Sequence, residues 1–158
     1  MELKDYRNKI GITINEASII TNVPVRTYIR YENDEKYGSV LKRNQMLLSL
    51  QDKYEITEVK GILSVELIKK RVESVLVNYK NEVSFCYLFG SYAKGYPQGD
   101  SDVDLCISTT LKGMAFVGLI EELRTSLNKK VDLIRLSDLN DNIELVNEIM
   151  KDGVRIYG

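Results

Sequence analysis

The stretch Phe85–Leu105, FCYLFGSYAKGYPQGDSDVDL, constrains this chain more than any other. The apolar run Val83–Phe89 stops at Gly90-Ser91. A short run rich in Val, Phe and Tyr predicts a buried strand. Glycine accepts dihedrals that other residues resist, so Gly90 marks a turn. Ten residues separate Ser91 from Asp102, and Val103 then separates Asp102 from Asp104. The second apolar run, VDLCI, predicts another strand. Alternation along it puts both carboxylates on one face and Val103, Leu105 and Ile107 on the other. The two acids are then roughly 6.5–7 Å apart.

Carboxylates at that spacing can bracket divalent cations. Magnesium takes one or two carboxylates and completes its shell with water and substrate phosphates. Backbone N–H groups at a glycine turn that opens a helix form an anion cradle, and the Ser91 hydroxyl adds a donor. Asp-x-Asp alone reads mostly as two solvated aspartates. Beside a phosphate cradle on the adjacent strand it becomes half of one constellation.

Composition narrows the chemistry. The chain has no histidine among 158 residues, which excludes His-based triads, His zinc sites and imidazole acid–base catalysis. Carboxylate and magnesium chemistry survives. The net charge of −1 supplies no general attraction for nucleic acid. No run approaches the roughly 20 apolar residues of a membrane span. The start MELKDYRNK lacks the apolar core of a signal peptide. A cytoplasmic protein without membrane contact is expected. Cys86 and Cys106 fall inside predicted strands and are expected as reduced core thiols.

Two domains are expected, a helical unit over 1–58 and an α/β unit over 62–158. Helices are predicted at Glu2–Lys9, Asn15–Thr21, Val25–Asn33 and Lys42–Lys53. Thr13 and Glu16 form a capping box. Gly61 marks the boundary, and Ser64 caps a helix with Val65, Ile68, Val72, Leu76 and Tyr79 on one stripe. After the first strand, Pro97 and Gly99 suit a flexible flap, followed by a strand at Asp102–Ser108. A helix over Met114–Leu127 and a strand over Lys130–Arg135 come next. Ser137 is expected to cap a helix over Leu139–Lys151, with Ile143, Val146, Ile149 and Met150 inward. Val154–Tyr157 adds a short strand. Together these predict a small mixed sheet with helices on one side.

Gly90-Ser91, ten residues, then Asp102-Val103-Asp104 resembles the signature of the DNA polymerase beta-like nucleotidyltransferases. The wording GSYAKG…SDVDL is most similar to the minimal nucleotidyltransferases of prokaryotes, including antitoxins paired with HEPN ribonuclease toxins. The resemblance covers about residues 64–158. It implies a third acid on a later strand, which Asp132 in VDLI supplies, and a basic residue after Gly-Ser, which Lys94 supplies. It implies two Mg2+ ions held by Asp102, Asp104 and Asp132, ATP as substrate, Gly90 and Ser91 on the β- and γ-phosphates, and Lys94 as an added positive charge. It also implies transfer of AMP to a tyrosine of the HEPN-type toxin partner.

The segment TINEASIITNVPVRTYIRYEND resembles the helix-turn-helix of phage-repressor-like regulators. Thr13, Val23, Thr27, Arg30, Tyr31 and Glu32 match that family's pattern, whereas Ile14, Asn22 and Pro24 depart from it. The resemblance implies DNA contacts through Arg26, Thr27 and Arg30. Basic and acidic residues nearly cancel over residues 1–60, which equally suits protein contact, and such units often pair as homo-oligomers. Two other readings stay open. One is a DNA-binding regulator that neutralises its partner by contact alone. The other is a small-molecule nucleotidyltransferase of the aminoglycoside type.

Overall fold

A computed structural model describes residues 2–158 and divides into two compact units, one ending at Glu55 and the other Ile56–Gly158. Among the described residues no helix is long and apolar enough to cross a membrane.

The first unit holds four helices: α1 (Leu3–Ile10), α2 (Ile14–Ile20), α3 (Val25–Asn33) and α4 (Val40–Tyr54). Thr13 starts α2 with a complete capping box: its hydroxyl accepts the Glu16 N–H, and Glu16 accepts the Thr13 N–H at 2.7 Å. Asn22 takes the left-handed conformation, φ 53°, in the short turn between α2 and α3, which asparagine tolerates better than most residues. Tyr6, Ala17, Tyr28, Met46 and Leu50 form the centre of this unit. Across it, Arg7 Nε donates to Glu32 Oε1 at 2.6 Å and Nη2 to Oε2 at 3.2 Å.

The second unit is built on a four-stranded sheet. It comprises α5 (Val65–Leu76), β1 (Val83–Phe89), α6 (Gly90–Lys94), β2 (Val103–Thr109), α7 (Gly113–Leu127), β3 (Val131–Arg135), α8 (Ile143–Asp152) and β4 (Val154–Tyr157). Strand order is β3-β2-β1-β4. β1 runs antiparallel to β2 and β4, and β2 runs parallel to β3. The parallel step needs a crossover, and α7 provides it. Ser64 caps α5 as expected, accepting the Leu67 N–H at 3.1 Å.

Alternation sorts the strand residues between two cores. Cys86, Leu88, Val103, Leu105, Ile107, Leu133 and Ile156 face α5 and α7, meeting Ile68, Val72, Leu76, Leu119, Leu123 and Leu127. Phe89 and Cys106 face the other way, against Leu139 and Ile149. Each large apolar side chain so buried contributes about 1.5–3 kcal/mol. Helices therefore cover both faces of the sheet, not one. Both cysteines are free and buried, and burial pushes their thiols up.

The last helix differs most from its prediction. Residues Leu136–Leu139 form a 3-10 turn, and α8 starts at Ile143. Asn142, not Ser137, is the cap: its Oδ1 accepts the Leu145 N–H at 3.1 Å. The inward residues are Leu145, Val146 and Ile149. Ile143 and Met150 point outward, 71% and 82% exposed.

Candidate active site

Gly90 follows directly on β1 and has φ +72°, a conformation that disfavours any Cβ. A Cβ placed there would lie 2.0 Å from Asp104 Oδ2. The strand pairing explains the approach. Phe89 stands opposite Asp104 in the β1–β2 ladder, so the residue after Phe89 turns across the Asp104 side chain. Ser91 is the next residue, and its carbonyl accepts the N–H groups of Gly95 and Tyr96 at 3.1 and 3.2 Å. Gly90 and Ser91 thus share one end of the sheet with the aspartates.

Asp104 is paired in parallel register with Asp132 on β3. Asp102 precedes β2, which is held at its start by the Val103 N–H donating to the Lys130 carbonyl at 2.9 Å. Asp102 and Asp132 line a common open cavity of 320 Å3 with Ile120, Glu121, Arg124 and Lys130. Burial raises the Asp104 carboxyl to about 6, and the charges of Asp132, Asp102 and Glu148 push in the same direction. A carboxylate held above its ordinary range in a cleft marks a place that favours positive charge. Among the described residues, no group of three or more acidic or cysteine side chains is placed to hold a metal ion. Hard oxygen donors in an open arrangement nevertheless suit magnesium, which keeps water and substrate phosphates in its shell.

Lys94 ends α6, and its Nζ lies 2.8 Å from Glu148 Oε1 on α8. Glu148 raises the Lys94 ammonium above its ordinary range, with smaller contributions from Tyr96. Glu148 had no place among the residues expected from sequence. A signal for it exists: it stands inside the stripe Leu145–Val146–Ile149, where an uncompensated carboxylate would be costly.

Lys129 is the second residue that sequence reasoning missed. Its side chain is fully buried, and its Nζ donates to the carbonyls of Gly99 and Lys60. Burial lowers its ammonium, while Asp100 acts in the opposite direction. The loop from Tyr96 to Ser101, expected as a flexible flap, is pinned at its far end. Besides Lys129, Gln98 N–H donates to Ser101 Oγ at 2.8 Å, and Ser101 N–H donates to the Gln98 carbonyl at 3.0 Å.

Arg26, Thr27 and Arg30 lie on α3 of the first unit. Arg26 and Arg30 are exposed and Thr27 is half-buried. The Arg30 guanidinium sits 5.6 Å from the Tyr37 ring centre.

A family model described as polymerase beta, nucleotidyltransferase, matches residues 70–158. The chain is 26% identical over 95 residues to the protein adenylyltransferase MntA of Shewanella oneidensis, covering 59% of this chain and 67% of that protein. It is 37% identical over 71 residues to a protein of Methanocaldococcus jannaschii provisionally named a protein adenylyltransferase, covering 44% of this chain and 80% of that protein. Among solved structures, a toxin–antitoxin crystallised with AMP-PNP is similar over 57% of this chain and 73% of the matched chain, at 25% identity and a TM-score of 0.50.

Proposed function

Because this chain belongs to the polymerase beta nucleotidyltransferase family, we propose that it is the antitoxin of a toxin–antitoxin pair, transferring AMP from ATP to a tyrosine of a HEPN-type ribonuclease toxin. The observation that carries this reading is the closeness of Gly90 to Asp104. It brings a phosphate-binding turn and a metal-binding carboxylate to adjoining positions, as attack at an α-phosphorus requires. The adenylyltransferase relatives and the AMP-PNP-bound toxin–antitoxin support the choice of nucleotide and of a protein acceptor.

In this reading Gly90 and Ser91 bind the β- and γ-phosphates, and Lys94 adds a positive charge beside them. Asp102 and Asp104 would hold two magnesium ions, and Asp132 would share the one nearer the acceptor. When bound, these ions supply positive charge to the entering and leaving oxygens. The tyrosine oxygen forms a bond to the α-phosphorus, the bond to the β-phosphate bridge breaks, and pyrophosphate leaves. Asp132 accepts the phenolic proton. The open cavity beside Asp102 and Asp132 suits a side chain delivered by another protein.

The test is incubation of the chain with magnesium, α-labelled ATP and the toxin encoded beside it. Label is expected on a toxin tyrosine and absent with the double variant Asp102→Ala/Asp104→Ala. Tight binding and silenced RNase without label would overturn the reading in favour of neutralisation by contact. Label on an aminoglycoside instead of the toxin would favour a small-molecule acceptor.

We infer a second role for the first unit, binding of promoter DNA through a helix-turn-helix. The short α2–α3 turn at Asn22 and the exposed Arg26 and Arg30 support it. In that arrangement the start of the second helix reaches base edges. A gel-shift titration with the chain's own promoter tests it: Arg26→Ala/Arg30→Ala should weaken binding at least tenfold, and equal binding by both proteins would overturn it.

A further inference from the structure

Lys94 and Glu148 come from elements 54 residues apart in sequence and meet at 2.8 Å at the edge of the acid cluster. Three features of this contact call for a function. Glu148 is half-buried on the side of α8 that packs against the sheet, where a carboxylate gains nothing from apolar neighbours. Its charge reaches Asp104, so it adds to the repulsion within a cluster that already holds three aspartates. Its partner is the cation that ends the Gly90–Lys94 segment, four residues from the turn.

A lysine has three N–H donors on a flexible four-carbon stem. Freed from Glu148, whose charge reaches Asp104, the flexible Lys94 stem would be at liberty to swing toward the acid cluster. Glu148 gives it a different anchor. One donor is spent on Glu148, and the others stay free for an incoming anion. We propose that Glu148 is a positioning residue: it holds Lys94 beside the Gly90-Ser91 turn, so that the ammonium meets the terminal phosphates of a nucleoside triphosphate and stays off the aspartates. This rests on the nucleotide-binding part of the proposed function. It adds a residue on α8 to a site otherwise formed by the sheet end and α6.

The alternative role for a fourth carboxylate here is a metal ligand, and the two roles differ in what they predict. A positioning residue acts only through Lys94 and only on the β- and γ-phosphates. A metal ligand acts without Lys94.

The test uses the full chain with magnesium and titration calorimetry, comparing a non-hydrolysable ATP analogue with AMP. Lys94→Ala and Glu148→Ala should each weaken the analogue about tenfold to a hundredfold, the range for losing one charge-assisted hydrogen bond, and leave AMP within about twofold. The double variant should bind the analogue no worse than Lys94→Ala alone. Glu148→Gln, which keeps an acceptor for Lys94, should fall between wild type and Glu148→Ala. A further loss when Glu148→Ala is added to Lys94→Ala would overturn the inference. So would an equal loss for AMP, or a shift in magnesium half-saturation in the Lys94→Ala background. Wild-type protein that binds the analogue and shows the predicted coupling, but labels no acceptor, would defeat the proposed function and leave this inference standing. Wild-type protein that binds no analogue would defeat both.

Discussion

Asp104 and Asp132 stand directly opposite one another on neighbouring parallel strands, with their side chains on the same face of the sheet. Burial of Asp104 is the largest cost to its charged form, and repulsion from the facing Asp132 adds to it. The sign of the resulting pH effect is opposite to that of a salt-bridged aspartate. The unfolded carboxyl titrates near 3.9, and the folded one at about 6. Between those values the folded state binds the extra proton, so this group's contribution to stability is fully present below about pH 4 and is lost as pH rises through about 6. Allowing for solvent screening, the loss is about 1–2 kcal/mol. Asp104→Asn should therefore stabilise the metal-free protein at pH 7 by that amount, with no gain at pH 4, while abolishing transfer. Urea denaturation at the two pH values measures the first, and the labelling assay the second. A variant less stable than wild type at pH 7 would contradict this account of the site.

Gly90 and Gly95 separate two effects that usually come together. Both have positive φ, +72° and +87°. A Cβ at Gly95 meets nothing within 4 Å, whereas one at Gly90 meets Asp104 Oδ2 at 2.0 Å. Alanine at either position pays about 1–2 kcal/mol for the left-handed backbone. Gly95→Ala should pay that and keep transfer activity within a few fold. Gly90→Ala should pay at least as much and lose activity by a factor of about 100 or more, because Asp104 is driven from its place. Denaturation midpoints and initial rates of both variants check the contrast. Equal activity in the two would show that the closeness of Gly90 to Asp104 is not needed for transfer.

Much of this was legible in local sequence, and the failures have physical causes. The limits of α3, β1 and β4 coincide with their predicted limits, because each is bounded by a residue that cannot continue it, such as Pro24, Gly90 and Gly153. Period-two alternation puts Asp104 on the face away from Val103 and Leu105, which pack against α5 and α7, while Asp102 lies just ahead of β2. The start of α8 misled because Ser137 is a good cap by type, yet Leu136–Leu139 closes a 3-10 turn first and Asn142 takes the cap. The helix turns Leu145, Val146 and Ile149 inward, leaving Ile143 and Met150 outside. Helices on the second face of the sheet were missed because Phe89 and Cys106 lie in strands apolar on both faces, where alternation carries little information. Lys129 and Glu148 are a different kind of miss. Their partners lie 30 and 54 residues away, in Gly99 and Lys94, and no local pattern joins them.

The buried Arg7–Glu32 pair predicts a sharp dependence in the first unit. The Arg7 and Glu32 side chains are only 13% and 2% exposed, and Arg7 also donates to the Ile12 carbonyl at 3.0 Å. Removing one partner leaves the other charge buried and unpaired, which costs about 3–5 kcal/mol in a sealed site and somewhat less where one side chain reaches solvent. Glu32→Ala should therefore cost about 2–4 kcal/mol of stability in residues 1–55. Hydrogen exchange of the amides in α1 to α3 reads this out, and unchanged protection there would show that the pair contributes little.

Lys129 is the test of how the loop ahead of the acids is held. Its ammonium is buried with two backbone carbonyls as partners, and Asp100 is a more distant charge. Lys129→Met keeps most of the volume and removes the cost of burying a charge, but leaves the Gly99 and Lys60 carbonyls without this donor. Those two effects oppose each other. Burying an ammonium is expensive, and so is the loss of a partner for the Gly99 carbonyl, at about 1–3 kcal/mol, whereas the Lys60 carbonyl still accepts the Thr57 N–H at 2.9 Å. Net stability should therefore change by less than about 2 kcal/mol. The loop should change more. Gly99 lies three residues before Asp102, so freeing it loosens the start of β2. Proteolysis or hydrogen exchange should show faster opening of residues 96–101, and the transfer rate should fall about tenfold with the denaturation midpoint nearly kept. Unaltered exchange in that loop would mean that the Gln98–Ser101 turn holds it without Lys129.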